Sequence, residues 1–298
     1  MAGGNGGDGA GAVAPGRAAV TVPANGCEPD LAVGPIMAIG GAEDKLRDKL
    51  ILSTFVQLAG GHRARIVILP TASSIEAAGE RYKALFLGLG AAEAEVALLA
   101  SRDDADGDHA VDLLQDATGV FMTGGNQMRL AAIVGGTRVS RLIRERNLAG
   151  AAVAGTSAGA SILSSHMVAF GQSGPTPRLR MAQMTAGFGL VADVIVDQHF
   201  RQRDRIGRLM ALVAASPGLL GVGVDEDTAA VFGANGILEV IGRHSVTVVD
   251  GAHAVSDVFQ VKRYEGITVS NAVLHILTAG RRFDLTSRAL VRDPGLGG

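Results

Sequence analysis

From Leu31 onward, short apolar runs alternate with segments of helical period, and few architectures accept that rhythm. Pro35-Ile36-Met37-Ala38-Ile39, the Arg-Ile-Val-Ile-Leu run at 65–69, Gly-Val-Phe-Met at 119–122 and Ala-Ala-Val-Ala at 151–154 are apolar almost throughout. Continuous apolarity of this kind marks strands buried on both faces, as in a parallel sheet. Weaker or later strands are expected at 94–99, 191–196 and 219–224. Helical segments are expected at 42–58, with Glu43 and Asp44 as first-turn acids, and at 75–87, 126–134, 138–148 and 201–214. The fold class that follows is α/β: a mainly parallel sheet sandwiched by helices, with a strand-rich C-terminal part capping it as hairpins. A chain of 298 residues, 47% hydrophobic, can bury one large core, so a single domain is expected over 31–298 behind a flexible Gly/Ala-rich tail at 1–30.

Composition narrows the function. A net charge of −2 argues against nucleic acid held by bulk positive potential, and 4% aromatics without Trp against base- or sugar-stacking platforms. Cys27 is the only cysteine, which removes disulfide frameworks and thiolate metal sites. No apolar run reaches the ~18 residues of a membrane span, and no basic n-region precedes an apolar h-region, so a cytoplasmic protein is expected. Gly88-Leu89-Gly90 lacks the third glycine of a dinucleotide fingerprint, and no Walker A run occurs. Asp104, Asp106, Gly107 and Asp108 lack the terminal Glu and Gly offset of a calcium loop and read as a solvated turn. Neither metal nor organic cofactor is expected.

The sharpest chemical signal is Gly155-Thr156-Ser157-Ala158-Gly159, set where a buried strand meets a helix. That is the context of a nucleophile elbow: the serine occupies a strained turn, small neighbours let strand and helix approach, and the Ala158 amide faces a developing oxyanion. A base is then needed. His62 and His109 lie in polar loops, His244 at a hairpin, and His275 in an apolar strand that suits a satisfied core histidine. His199 differs because it ends the run Val194-Ile195-Val196-Asp197-Gln198, at the carboxyl end of a strand where open α/β sheets place ligands. A carboxylate to orient it could come from Asp225-Glu226-Asp227, which follows Val222-Gly223-Val224. Alternation sets Glu226 opposite the two aspartates but does not choose among the three. Arg201, Arg205 and Arg208 share a helical stripe after His199, either a solvated face or a grip for carboxylates, with Ile206, Met210 and Val213 turned inward. Thr123-Gly124-Gly125-Asn126-Gln127 follows another strand and could supply a second oxyanion amide.

Five blocks in this order give the chain a family likeness: Ile39-Gly40-Gly41-Ala42-Glu43-Asp44-Lys45, Phe121-Met122-Thr123-Gly124-Gly125, Gly155 to Ala160, Asp197-Gln198-His199-Phe200 with the arginines after it, and Val224 to Ala229. Together they resemble the cyanophycinases, serine peptidases of the peptidase E clan, over essentially residues 34–285. The resemblance implies a class I glutamine-amidotransferase-like fold, usually dimeric, and the triad Ser157, His199 and Glu226. The oxyanion hole is expected from the amides of Ala158, at the helix start, and Gly125, in the Gly-Gly turn. Gln127, Asp197, Gln198, Arg203, Arg205 and Arg208 fall on substrate-contacting positions. The implied partner is cyanophycin, an aspartate polymer bearing arginine on each side chain, released as β-Asp-Arg dipeptides. An α-aspartyl dipeptidase or a catalytically silent member of the fold are the alternatives. Asn126 and Pro175 stand where the family often has acids.

Overall fold

The computed structural model describes residues 33–292, so the tail expected at 1–30, with Cys27, falls outside the described residues. Five strands form a parallel half-sheet: β1 (Ile36–Ile39), β2 (Arg65–Leu69), β3 (Glu93–Val96), β4 (Gly119–Met122) and β5 (Ala152–Thr156). Helices α1 (Leu50–Leu58), α2 (Ala78–Gly88), α3 (Arg102–Asp106), α4 (Asp108–Gln115), α5 (Gln127–Val134) and α6 (Arg138–Leu148) connect them. The two-residue period splits each strand between two cores. Ile36 and Ala38 of β1 face one, with Val67, Leu69 and Val153; Met37 and Ile39 face the other, with Ile66, Ile68 and Phe121. Both faces are buried, which is why these strands read as unbroken apolar runs. On the α1–α2 face Phe55, Tyr82, Phe86 and Phe121 pack with ring centroids 4.6 to 6.0 Å apart.

After β5 come the short helix α7 (Ala158–Ser161), a hairpin of β6 (His166–Gly171) with β7 (Ala182–Ala186), then β8 (Val194–Gln198), α8 (Ile206–Ala215) and β9 (Leu220–Val224). The remaining strands are β10 (Thr228–Phe232), β11 (Ile237–Gly242), β12 (Ser245–Asp250), β13 (Val255–Ser256), β14 (Val269–Ser270), β15 (Val273–Thr278), β16 (Arg282–Asp284) and β17 (Ala289–Leu290). The nine-stranded sheet runs β17-β16-β11-β10-β1-β5-β4-β2-β3, its last five strands parallel and its first four added antiparallel. A second sheet of four strands, β15-β12-β9-β8, lies on the first core: Val194, Val196, Val222, Val224, Val246 and Val248 pack with Met122 and Val153. The C-terminal strands thus do more than cap one sheet, because β12 and β15 complete another.

Helix α6 spans the expected residues, and Asn126 caps α5 by accepting from the amides of Met128 and Arg129. Elsewhere the bounds differ for physical reasons. The helix expected at 42–58 begins only at Leu50. Gly41, Ala42 and Lys49 have positive φ, and the Asp44 carboxylate accepts from the amides of Leu46, Arg47, Asp48 and Lys49. That local cage competes with helical bonding. The helix expected at 201–214 is broken at Asp204 (φ 49°), so Arg201 lies in a preceding 3₁₀ turn rather than on the Arg205–Arg208 stripe. The residues read as a solvated turn at Asp104–Asp108 span the end of α3 and the start of α4, which meet at Gly107, and Ser101 and Asp104 close a capping box at the start of α3.

Candidate active site

Three chain reversals converge where the two sheets meet. The first follows β5. Ser157 has φ 53° and ψ −109°, a conformation that non-glycine residues adopt only under strain. Its amide donates to the Ile39 carbonyl (2.9 Å), while Ala160 and Ser161 donate back to its carbonyl. Space at this bend allows no side chains at the flanking glycines. A Cβ on Gly155 would lie 2.0 Å from the Gly159 carbonyl oxygen, and one on Gly159 would lie 2.3 Å from that of Met122.

The second reversal follows β8 of the other sheet. His199 has φ 46°, donates its amide to the Gly40 carbonyl (2.8 Å), and is buried. Gly41 lies flat against its ring, where any Cβ would be 2.3 Å from the imidazole Cε1. The third lies between β9 and β10, and so joins the two sheets. Its three acids divide their work. Asp225, buried, accepts from the Arg201 amide (3.0 Å) and the Ser245 hydroxyl (2.9 Å). Asp227 accepts from the Asp44 amide (2.8 Å). Glu226 alone turns to the imidazole.

These turns bring Ser157 Oγ to 2.9 Å from His199 Nε2, and His199 Nδ1 to 2.6 Å from Glu226 Oε1. A carboxylate at Nδ1 fixes the proton there and leaves Nε2 free to accept the serine proton. Burial is the main influence on the imidazole and pushes its pKa below the ordinary value; the Glu226 hydrogen bond opposes this, and the Arg203 guanidinium adds to it. A neutral imidazole near pH 7 is the outcome. Around the serine, the N–H groups of Gly125 and Ala158 donate to no other protein atom among the described residues.

The other expected contact residues fall into two groups. Asp197, Arg205 and Arg208 are buried together: Arg208 grips the carboxylate of Asp197 with both Nε (2.6 Å) and a terminal nitrogen, and Arg205 approaches it at 3.3 Å and donates to the Gln198 carbonyl. Desolvation brings the Arg205 pKa down to about 10, with Asp197 holding it up and Arg208 and Arg203 lowering it further. Arg205 and Arg208 are therefore not a solvated face. Gln198 is buried beside the serine, and Gln127 is half-buried. The Gln198 amide oxygen lies 3.4 Å from Ser157 Oγ, Gln127 donates to the carbonyls of Val168 and Ala169, and Arg203 is exposed. A cavity of about 270 Å³ lined by Lys45, Tyr82, Leu85, Thr123 and Gly124 opens beside the serine, since Gly124 packs against Ser157.

Of the histidines set aside, His275 differs from expectation. It lies edge-on to Phe283, and its buried Nε2 has no hydrogen-bond partner among the described residues. Sequence reasoning missed the roles of Gly41, which it took only as the break after the first strand, and of Glu43, which it assigned to a helix. The available signal was a Gly-Gly pair ending β1 level with the other strand ends. No group of three or more His, Cys, Asp or Glu side chains among the described residues is arranged to hold a metal ion.

Residues 36–240 match the model of peptidase family S51. The chain belongs to peptidase family S51. It is 43% identical over 259 residues to a cyanophycinase of Nostoc sp. (strain PCC 7120 / SAG 25.82 / UTEX 2576), covering 86% of this chain and 87% of that one. Identity is 41% over 255 residues to a cyanophycinase of Synechococcus elongatus, 85% and 79% of the two chains. Among solved structures, a peptidase from an acI-B1 Actinobacterium superposes with TM-score 0.59 at 25% identity, over 82% of this chain and 98% of that one. All three reversals of this S51 chain lie within the matched span, whereas β12, β15, β16 and β17 lie beyond it.

Proposed function

We propose that this S51 peptidase hydrolyses cyanophycin through an acyl-enzyme on Ser157, releasing β-Asp-Arg dipeptides from a chain end. The observation that carries the mechanism is the unbroken hydrogen-bonded line from Ser157 Oγ through His199 to Glu226; the substrate comes from the family and from the names of the relatives. Ser157 Oγ attacks the scissile amide carbonyl as its proton passes to His199 Nε2. Glu226 holds the imidazole in the accepting tautomer and stabilises the imidazolium that forms. The amides of Gly125 and Ala158 receive the oxyanion, each contributing about 3 kcal/mol to the transition state. The imidazolium then protonates the leaving amine, and water, activated by the same Nε2, releases the acyl group. Substrate guanidinium and carboxylate groups are met by Gln127, Gln198 and Arg203, with Asp197, Arg205 and Arg208 as the charged floor beneath them.

The deciding experiment is Ser157→Ala assayed on a cyanophycin overlay with product mass determined. Clearing should fall by about 10⁴-fold or more, since removing the nucleophile of a serine triad abolishes nearly all turnover. Full dipeptide release by the variant would end the proposal. A homodimer completes the reading on the family resemblance, and a cytoplasmic location is proposed with it; light scattering and cell fractionation test the two.

A further inference from the structure

The block Gly40 to Lys45 has no part in the chemistry above, yet it touches the neighbours of all three triad members. The Gly40 carbonyl accepts from the His199 amide (2.8 Å), and the Gly41 carbonyl accepts from the Asp227 amide (2.9 Å), next to Glu226. Glu43 completes the set at the serine. Its side chain is 1% exposed; Oε2 accepts from the Thr156 hydroxyl (2.7 Å), and Oε1 accepts from the Tyr82 hydroxyl and pairs with Lys45 Nζ (2.8 Å).

We propose that Glu43 is a positioning residue for Ser157, acting through Thr156. Thr156 is the last residue of β5, paired with Ile39, and the backbone enters its strained bend at the very next position. A β-branched side chain tied by its hydroxyl to a fixed acceptor leaves that position one rotamer. The acceptor is fixed in turn. The Tyr82 ring packs on Phe121 (4.6 Å) and Phe86 (6.0 Å), so Glu43 is anchored to the aromatic core. Burial, and then the adjacent Glu43, push the Tyr82 hydroxyl well above its ordinary pKa, so it remains a donor at any working pH. Lys45 supplies the balancing charge from the rim of the cavity beside Gly124. A buried carboxylate is costly to desolvate and an apolar side chain would fill the same space more cheaply, so packing alone does not account for this residue.

The proposal rests on Ser157 being the nucleophile, and the test separates the two. Wild type, Glu43→Gln, Thr156→Val and Thr156→Ser are treated with a fluorophosphonate probe, and kcat and KM on cyanophycin are measured per titratable site, with folding followed by circular dichroism. Glu43→Gln and Thr156→Val should slow probe acylation and kcat together by about 10- to 100-fold, the effect of a reacting atom displaced by a fraction of an ångström, while KM holds. Thr156→Ser, which keeps the hydroxyl, should recover most of the rate. Failure of the probe to label Ser157 in wild type would overturn the nucleophile assignment. Labelling of wild type together with unchanged acylation in folded Thr156→Val would overturn the positioning role alone. Thr156→Val removes one hydroxyl at constant shape, so it carries the test even where Glu43→Gln does not fold.

Discussion

Ser157 and His199 each sit one residue past a strand with positive φ, 53° and 46°, yet the two turns are held in opposite ways. The serine turn carries its crowding in its own pentapeptide: Gly155 meets the Gly159 carbonyl and Gly159 that of Met122, so neither position admits a side chain, while Ile39 holds the serine amide from β1. The histidine turn is held from afar, by the Gly40 carbonyl, the face of Gly41 and the bond from the Phe200 amide to the Val224 carbonyl. Local sterics write themselves into a short motif. A turn imposed by distant contacts leaves only an unremarkable histidine at the end of an apolar run.

That contrast can be broken by substitution. Gly159→Ala should have the largest effect, because its Cβ would meet the Met122 carbonyl oxygen at 2.3 Å with only backbone to give way. A loss of about 3 kcal/mol in chemical denaturation, together with loss of activity, is expected from overpacking of this severity. Gly41→Ala should separate the two properties. Its Cβ displaces an imidazole that can swing away, so kcat/KM should fall by about 100-fold while stability drops by only about 1–2 kcal/mol from the positive φ. Equal losses of stability in these two variants would erase the distinction between a local and a remote hold.

Arg203→Gln gives the smallest and most specific effect. Arg203 disfavours the imidazolium, so removing it should raise the His199 pKa toward the ordinary value. The acid limb of the rate profile, measured as probe acylation against pH, should move to higher pH, with less than about tenfold loss at neutral pH. A shift to lower pH would contradict the electrostatic account of the histidine turn.

Much of the parallel half was legible because its determinants are local. The period of Arg138–Leu148 and the buried runs of β1, β2, β4 and β5 stand in the sequence as they stand in the structure. So does the bend at Ser157. Residues 42–49 were misread as helical because acids before an apolar stretch imitate a first turn, whereas the Asp44 carboxylate collects the amides that a helix would have used. The Arg205–Arg208 stripe could be read as solvated because its partner, Asp197, belongs to a strand whose burial depends on a second sheet. Periodicity says that β8 is a strand but not which sheet it joins. Among Asp225, Glu226 and Asp227, alternation separated the middle acid without saying that the imidazole lay on its side.

The short link between β9 and β10 carries Glu226 from the four-stranded sheet to the nine-stranded one, while Ser157 belongs to the latter and His199 to the former. Neither layer owns a complete proton relay. On the proposed triad, hydrolysis would have to wait until Thr228 has docked beside β1, which would set a delay between synthesis and attack.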